Sequence, residues 1–190
     1  MLLDPPRTGS SRRAPSPVRR QHPHPGGQGP AQVEGVAEGL VLLRVHRLLL
    51  ADVDQDGDLD LFVPGFADEF SAADSEGKPH RLYMQQQPGQ FVLEAERLPE
   101  TSRMGSGYLA QPFDVDLDGD LDLFLLHDLP FVSQLLLNDG TGHFTDGSED
   151  CLCTQVRAAM GLALGDTNSD GVPDFFVTGW QDNRHFVSAG

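Results

Sequence analysis

Alternating aspartates are the first feature of this sequence that could do chemistry. In residues 52–60 of the stretch LLLADVDQDGDLDLFVPGF, aspartate occupies every second position and a glycine stands at the sixth. Calcium takes about 6 to 8 oxygen ligands, and carboxylates at alternate positions let one loop wrap several of them around an ion. The pattern predicts a calcium loop with side-chain ligands at positions 1, 3, 5 and 9 and a carbonyl ligand at position 7, namely Asp52, Asp54, Asp56, Asp60 and the Asp58 carbonyl.

Two further loops repeat this spacing. The second acidic loop, residues 114–122, keeps every acidic position, whereas the third, residues 166–174, has asparagine at position 3. With one fewer carboxylate, the third loop is predicted to bind calcium most weakly. The sequence thus predicts about three calcium ions, with ligands from Asp114, Asp116, Asp118, the Asp120 carbonyl and Asp122 in the second loop, and from Asp166, Asn168, Asp170, the Val172 carbonyl and Asp174 in the third.

An EF-hand is the main alternative for such loops. It shares the first half of the pattern, but it closes with a glutamate at position 12 and is flanked by helices. Position 12 holds Val63, Leu125 and Val177, which have no side-chain ligand. The flanks LDLFV and PDFFV are rich in strand-forming residues. The loops are therefore predicted to join strands.

The elements around the loops recur with them. Each loop follows an apolar stretch and leads into a second one, and the segments HRLYMQQQPGQFVLEAE and SQLLLNDGTGHFTDGSE add an apolar strand, a turn and another strand. Repeating units of four short strands are typical of β-propeller blades. The predicted fold is all-β, a propeller of four-stranded blades in an incomplete set of about two and a half, which needs further blades or chains to close.

Charge separates the chain into two parts. Residues 1–47 contain seven Arg against three acids, a balance of +4, so the stated net charge of −16 leaves −20 for residues 48–190. An acidic body of this kind repels nucleic acid phosphates, and bound cations would relieve its self-repulsion. We predict a disordered basic tail over residues 1–38 and propeller repeats over residues 39–190, with no nucleic acid partner.

Targeting signals and cysteines add little. The sequence has no apolar run long enough for a transmembrane helix, and no signal peptide is visible in it. Cys151 and Cys153 are separated by one residue, too close for an ordinary disulfide within one strand, and they are predicted to be unpaired or buried thiols.

Together, the loops D-x-[DN]-x-D-G-x-x-D and the stretch LLLNDGTGHFTD resemble the FG-GAP/VCBS repeats of integrin α-subunit propellers, of cartilage acidic protein and of many secreted bacterial proteins. The resemblance covers about residues 47–190, and GLALGDTNSDGVPDFFVTGW is most similar to the cartilage acidic protein subgroup. It implies an extracellular or cell-surface module for adhesion or for protein or glycan binding, with calcium in a structural role.

Catalysis is the alternative function. Some carbohydrate-active enzymes carry similar calcium propellers, either as catalytic or as non-catalytic domains. Their chemistry needs convergent His, Arg, Lys or Tyr side chains, but Lys78 is the only lysine here and Tyr83 and Tyr108 are the only tyrosines. We therefore predict that the chain is not an enzyme.

Several residues have a structural interpretation that competes with a functional one. The recurring phenylalanines are predicted to form blade core: Phe62, Phe124, Phe175 and Phe176. Trp180 is predicted to pack at a blade end, with stacking on a sugar as the alternative. His127 and Asp128 could form a proton relay, but no nucleophile accompanies them, so a loop contact is the preferred interpretation.

Overall fold

The computed structural model describes residues 47–67, 76–149, 151, 155–156, 158–180 and 183–188. The strands in this part of the chain form four antiparallel sheets, none of them closed on itself. The helical elements described in full are two short 3₁₀ turns, Ala95–Arg97 and Glu100–Ser102, and Gln155 also has a 3₁₀ conformation. The prediction of an all-β fold with incomplete propeller-like blades is confirmed. The predicted basic tail lies outside the described residues, and the predicted domain boundary stays a prediction.

The strands follow the predicted units. In chain order they are β1 Leu49–Ala51, β2 Asp60–Val63, β3 Lys78–Pro79, β4 Arg81–Gln87, β5 Gln90–Leu93, β6 Met104–Gly105, β7 Gly107–Phe113, β8 Asp122–His127, β9 Gln134–Asn138, β10 Phe144–Asp146, β11 Ala159–Gly165, β12 Asp174–Gly179 and β13 Asn183–Phe186.

Three of the sheets are blade-like. The first has strand order β1-β2-β4-β5, the second β7-β8-β9-β10, and the third β11-β12-β13. In each, the acidic loop joins the first strand to the second, and the aspartate at position 9 is the first residue of the second strand. The loop spacing therefore sets where the second strand begins. A small fourth sheet, β3 paired with β6, was not predicted.

The sheets pack through residues that alternate along their second strands. Phe62 lies in β2, at position 11 when residues are counted from the start of the first loop. It belongs to a core cluster with Leu123 and Leu125 of the second sheet. Phe124, the equivalent residue of the second sheet, belongs to a cluster with Phe175 and other residues of the third. Since successive side chains of a strand point to opposite faces, position 11 of each sheet faces the following sheet.

One predicted core residue breaks this pattern. Phe62, Phe124 and Phe175 are buried as expected, but Phe176 is 45% exposed. It occupies position 11 of the third loop, and no following sheet covers it within the described part of the chain. The packing predicted for Trp180 is also wrong, because this side chain is 81% exposed beyond the end of β12.

The cysteine prediction needs correction. Cys151 is disulfide-bonded and so is not an unpaired thiol. It lies between β10 and β11 and not within a strand, so the objection from strand geometry does not apply. The sequence contains one other cysteine, Cys153, which lies outside the described residues.

Candidate metal centres

The first two acidic loops each bring three carboxylates together. Ligand oxygens of positions 1, 3 and 9 lie within 4.8 Å of one another in both loops. The groups are Asp52, Asp54 and Asp60 in the first loop, and Asp114, Asp116 and Asp122 in the second. The spacing read from the sequence therefore produces two clusters that could hold a metal ion.

The aspartate at position 9 anchors each cluster to the sheet. Asp60 accepts hydrogen bonds from the backbone N–H of Val53, at 3.1 Å, and of Gln85 on β4, at 2.9 Å. Asp122 accepts equivalent bonds from Val115, at 2.9 Å, and from Asn138 on β9, at 2.8 Å. Each carboxylate thus ties the start of the acidic loop to the third strand of its blade.

The third loop repeats this anchor. Asp174 accepts hydrogen bonds from the Thr167 N–H, at 2.7 Å, and the Ser188 N–H, at 2.9 Å, and also from the Thr167 hydroxyl. Each carboxylate oxygen has two lone pairs, so the single N–H on each oxygen of Asp60 and Asp122 leaves capacity for a cation, whereas Asp174 Oδ2 already accepts two bonds from Thr167. In the first two loops, position 9 can therefore anchor the sheet and bind a metal at the same time.

A shared backbone turn shapes the loops. The glycines at position 6, Gly57, Gly119 and Gly171, have φ angles of 93°, 99° and 87°, a conformation that side chains with a Cβ rarely adopt. In every loop this glycine N–H donates to the carboxylate at position 1, over 3.0–3.1 Å. The turn folds the chain back so that position 1 lies near position 9.

Unpartnered oxygens mark the interior of the two clusters. Asp52 Oδ1, Asp54 Oδ1 and Asp114 Oδ1 are buried and make no hydrogen bond. A buried carboxylate oxygen without a partner costs free energy, because it has lost water and gained nothing in return. A bound cation would supply the missing interaction, so the residues present fit a metal ion with hard oxygen ligands.

The charges of these carboxylates oppose one another. Burial, and then the charge of Asp56, raises the pKa of Asp54 above its usual range. Burial also raises the pKa of Asp60 and of Asp122, and this outweighs their backbone hydrogen bonds, which lower it. Without a cation, the folded loops therefore hold buried like charges at a free-energy cost.

Position 5 lies outside both clusters. Asp56 and Asp118 are exposed, and each accepts a hydrogen bond from the backbone N–H at position 7, over 2.9 Å and 3.2 Å respectively. Their predicted role as ligands stays a prediction, as do the carbonyl roles of Asp58, Asp120 and Val172.

The side chain of Asp120 is a feature that the sequence did not reveal. The spacing predicts a carbonyl role alone for this residue, but it retains only 6% of its accessible surface, and its Oδ1 has no hydrogen-bond partner. Burial, followed by the charge of Asp118, raises the pKa of Asp120 to about 6. The second loop therefore carries one more buried carboxylate than the first.

The third loop is arranged differently. Its position-1 side chain, Asp166, accepts N–H groups from Ser169, Asp170 and Gly171. The Asn168 amide donates to Asp170 over 2.8 Å, so these two side chains bind each other. The loop is exposed throughout residues 166–171. A metal site here remains a prediction, as does its weakest binding.

A buried pair of histidines lies between the first two blades. The His80 and His127 rings stack with their centroids 5.2 Å apart and their Nε2 atoms 3.1 Å apart. Gly65 N–H donates to His80 Nδ1 over 2.9 Å, so His80 carries its proton on Nε2 and donates it to His127. His127 then carries its own proton on Nδ1, where it faces the Val132 carbonyl. Both rings are neutral in this arrangement.

The surroundings of the pair keep it neutral. Burial, and then the charge of His127, lowers the pKa of His80 from 6.5 to about 3, and burial lowers that of His127 to about 4. A Cβ at Gly105 would come within 2.7 Å of both Nε2 atoms, so this position admits only glycine. The sequence drew attention to His127 and Asp128, but the partner of His127 is His80.

Comparison with known proteins agrees with this architecture. Residues 114–177, which contain the second and third acidic loops, match a family described as FG-GAP-like repeat. The match supports the repeat family and does not extend to the cartilage acidic protein subgroup. No curated protein matches the chain significantly. None of the described residues forms a helix with the length and apolar character needed to cross a membrane.

Proposed function

We propose that this chain, in which residues 114–177 match the FG-GAP-like repeat family, is a calcium-binding module of the β-propeller type. The proposed role is non-catalytic: calcium holds the acidic loops in place, and the blades present a surface for adhesion or for protein or glycan binding. The proposed location is extracellular or at the cell surface, where such repeats are often found.

The unpartnered buried oxygens carry the calcium proposal. Asp52, Asp54 and Asp60 would hold one ion, and Asp114, Asp116 and Asp122 a second, with Asp56, Asp118 and the position-7 carbonyls as further ligands. Calcium accepts 6 to 8 oxygens in flexible geometry, whereas magnesium demands near-ideal octahedral geometry and keeps several waters. Loops rich in oxygen ligands therefore favour calcium. The ion would supply charge neutralisation and no reaction chemistry.

Calorimetric titration of chelator-stripped protein tests this proposal. We expect calcium to bind to the first two loops more tightly than magnesium does, and to raise Tm, because a ligand of the native state alone stabilises it by about 2.7 kcal/mol per site at a hundredfold excess over Kd. Asp54→Ala and Asp116→Ala should each remove one site. Glu149→Gln, an exposed change outside the loops, is the control. Titrations and melting curves that do not respond to calcium would contradict the proposal.

The binding role has a separate test. The exposed aromatic side chains of the third blade, Phe176 and Trp180, offer apolar surface for a protein or a sugar ring. We expect a glycan array, and an array of extracellular matrix proteins, to show binding that is retained in calcium and lost in chelator. Binding that is equal in both conditions would separate any recognition role from the calcium loops.

A further inference from the structure

Asn138 is a buried junction at the end of β9. It retains 7% of its accessible surface, and all four hydrogen-bonding positions of its side chain are used. Its Oδ1 accepts the N–H groups of Asp139 and Gly142, both at 3.0 Å. Its Nδ2 donates to two carbonyls, those of Leu121 and Val53. Two donors face the oxygen and two acceptors face the nitrogen, which fixes the orientation of the amide.

One side of this junction is the second candidate metal site. The backbone N–H of Asn138 donates to Asp122 Oδ1 over 2.8 Å. Its side-chain amide donates over 3.1 Å to the carbonyl of Leu121, the residue immediately before Asp122. Asn138 therefore helps to set the position of the carboxylate that anchors the second site.

The other side of the junction is the first site. Asn138 Nδ2 donates over 2.7 Å to the carbonyl of Val53, which lies 85 residues earlier in the first acidic loop. The Val53 N–H in turn donates to Asp60 Oδ2 over 3.1 Å. A continuous run of hydrogen bonds thus leads from Asp60 through Val53 and Asn138 to Asp122. An exposed bond from the Gln55 amide to the Gly119 carbonyl, over 3.2 Å, joins the same two loops.

Gln85 is the residue of the first blade that corresponds to Asn138, and it allows a comparison of the two blades. It occupies the matching place in the first blade, because its N–H donates to Asp60 and its Oε1 accepts the Gly89 N–H over 2.8 Å. That is the only hydrogen bond its side chain makes with a described residue. Gln85 therefore completes the turn of its own blade, whereas Asn138 also reaches into the neighbouring acidic loop.

We propose that Asn138 couples the two metal sites, so that calcium bound at either site raises the affinity of the other. The inference rests on the proposed calcium-binding function and adds the relation between its sites. An ion at the first site fixes Asp60 and with it Val53, which holds the Asn138 amide in place. A fully bonded buried amide cannot shift without leaving a polar group unpaired. An ordered Asn138 then holds Asp122 in position for the second ion.

Site-specific affinities test the coupling. The affinity of the second site is measured by calorimetry in the otherwise unchanged chain and in Asp54→Ala, and that of the first site in the unchanged chain and in Asp116→Ala. We expect each site to lose at least about fivefold in calcium affinity when the other is disabled, the lower range of measured coupling between sites. When Asn138→Ala is added to each of these proteins, the loss of affinity caused by disabling the other site should vanish. When Gln85→Ala, the matched control, is added instead, this loss of affinity should persist.

NMR signals of the Asn138 amide test the coupling even if Asn138→Ala fails to fold. In Asp116→Ala, where only the first site can fill, calcium should still shift the side-chain NH₂ signals of Asn138 and slow exchange of its backbone N–H. Signals that stay unchanged while those of Val53 move would overturn the coupling. Two independent sites of unchanged affinity would overturn it too and leave the proposed function standing. If no variant, nor the unchanged chain, binds calcium, the proposed function itself fails.

Discussion

Asp122→Ala is expected to destabilise the protein by about 3 kcal/mol or more in chelator, and by more in calcium, where a ligand of the second site is lost as well. Asp122 retains 1% of its accessible surface and accepts the N–H groups of Val115 and Asn138. Hydrogen bonds to a charged group contribute about 1.5–3 kcal/mol each, and their removal leaves two buried donors unpaired. This part of the loss therefore does not depend on a bound ion. Urea denaturation of the unchanged protein and of Asp122→Ala, each in calcium and in chelator, measures the loss of stability.

Asp118→Ala is the matched control for this change. Asp118 lies in the same loop, but it is exposed and accepts one long hydrogen bond, from Asp120. Exposed substitutions usually change stability by less than about 0.5 kcal/mol. We expect Asp118→Ala to be nearly neutral in chelator and to lose stability only in calcium. A loss from Asp122→Ala that appears only in calcium would show that position 9 acts as a ligand and not as a sheet anchor.

Stability of the chelator-stripped protein is expected to fall steeply as the pH is lowered from 7 to 5, because of the histidine pair. The folded-state pKa values of His80 and His127, about 3 and about 4, lie below the ordinary value of 6.5. Between these values the unfolded chain binds protons that the folded protein does not. The contribution of the pair is complete above pH 6.5 and is lost as the pH falls, by about 2 kcal/mol per histidine at pH 5.

Geometry explains why the folded protein resists protonation. A proton on His80 Nδ1 would face the Gly65 N–H, and one on His127 Nε2 would face the proton that His80 donates. Either proton would place two donors against each other in a buried site.

Denaturation curves between pH 7 and 5 test this expectation. His127→Gln should reduce the pH dependence by roughly one titrating group, and the exposed His143→Gln serves as the control. The aspartates whose pKa is raised act in the opposite direction, because the folded protein binds their protons first, but they are common to all the variants compared. An unchanged slope in His127→Gln would contradict the assignment.

Residue spacing within each repeat is sufficient to predict the local architecture. The nine-residue spacing of each acidic loop contains the turn at position 6 and the first residue of the next strand, so Asp52, Asp54 and Asp60 come together through local backbone geometry. The same local rule placed the strands and the alternation that buries Phe62 and Phe124. Contacts within one loop need only neighbouring residues, and for this reason their spacing is sufficient to predict them.

The contacts between the blades follow from tertiary packing and not from any local pattern. His80 meets His127 across 47 residues, and Asn138 meets Val53 across 85, and no short pattern in the sequence pairs them. The buried side chain of Asp120 and the exposed face of Phe176 likewise depend on which sheet packs against which. Gln85 and Asn138 occupy matching positions in two repeats, but within the described part of the chain only Asn138 has an acidic loop of the preceding blade within reach. Repeated spacing along the chain determines each blade, whereas the packing of one blade against the next gives equivalent residues different partners.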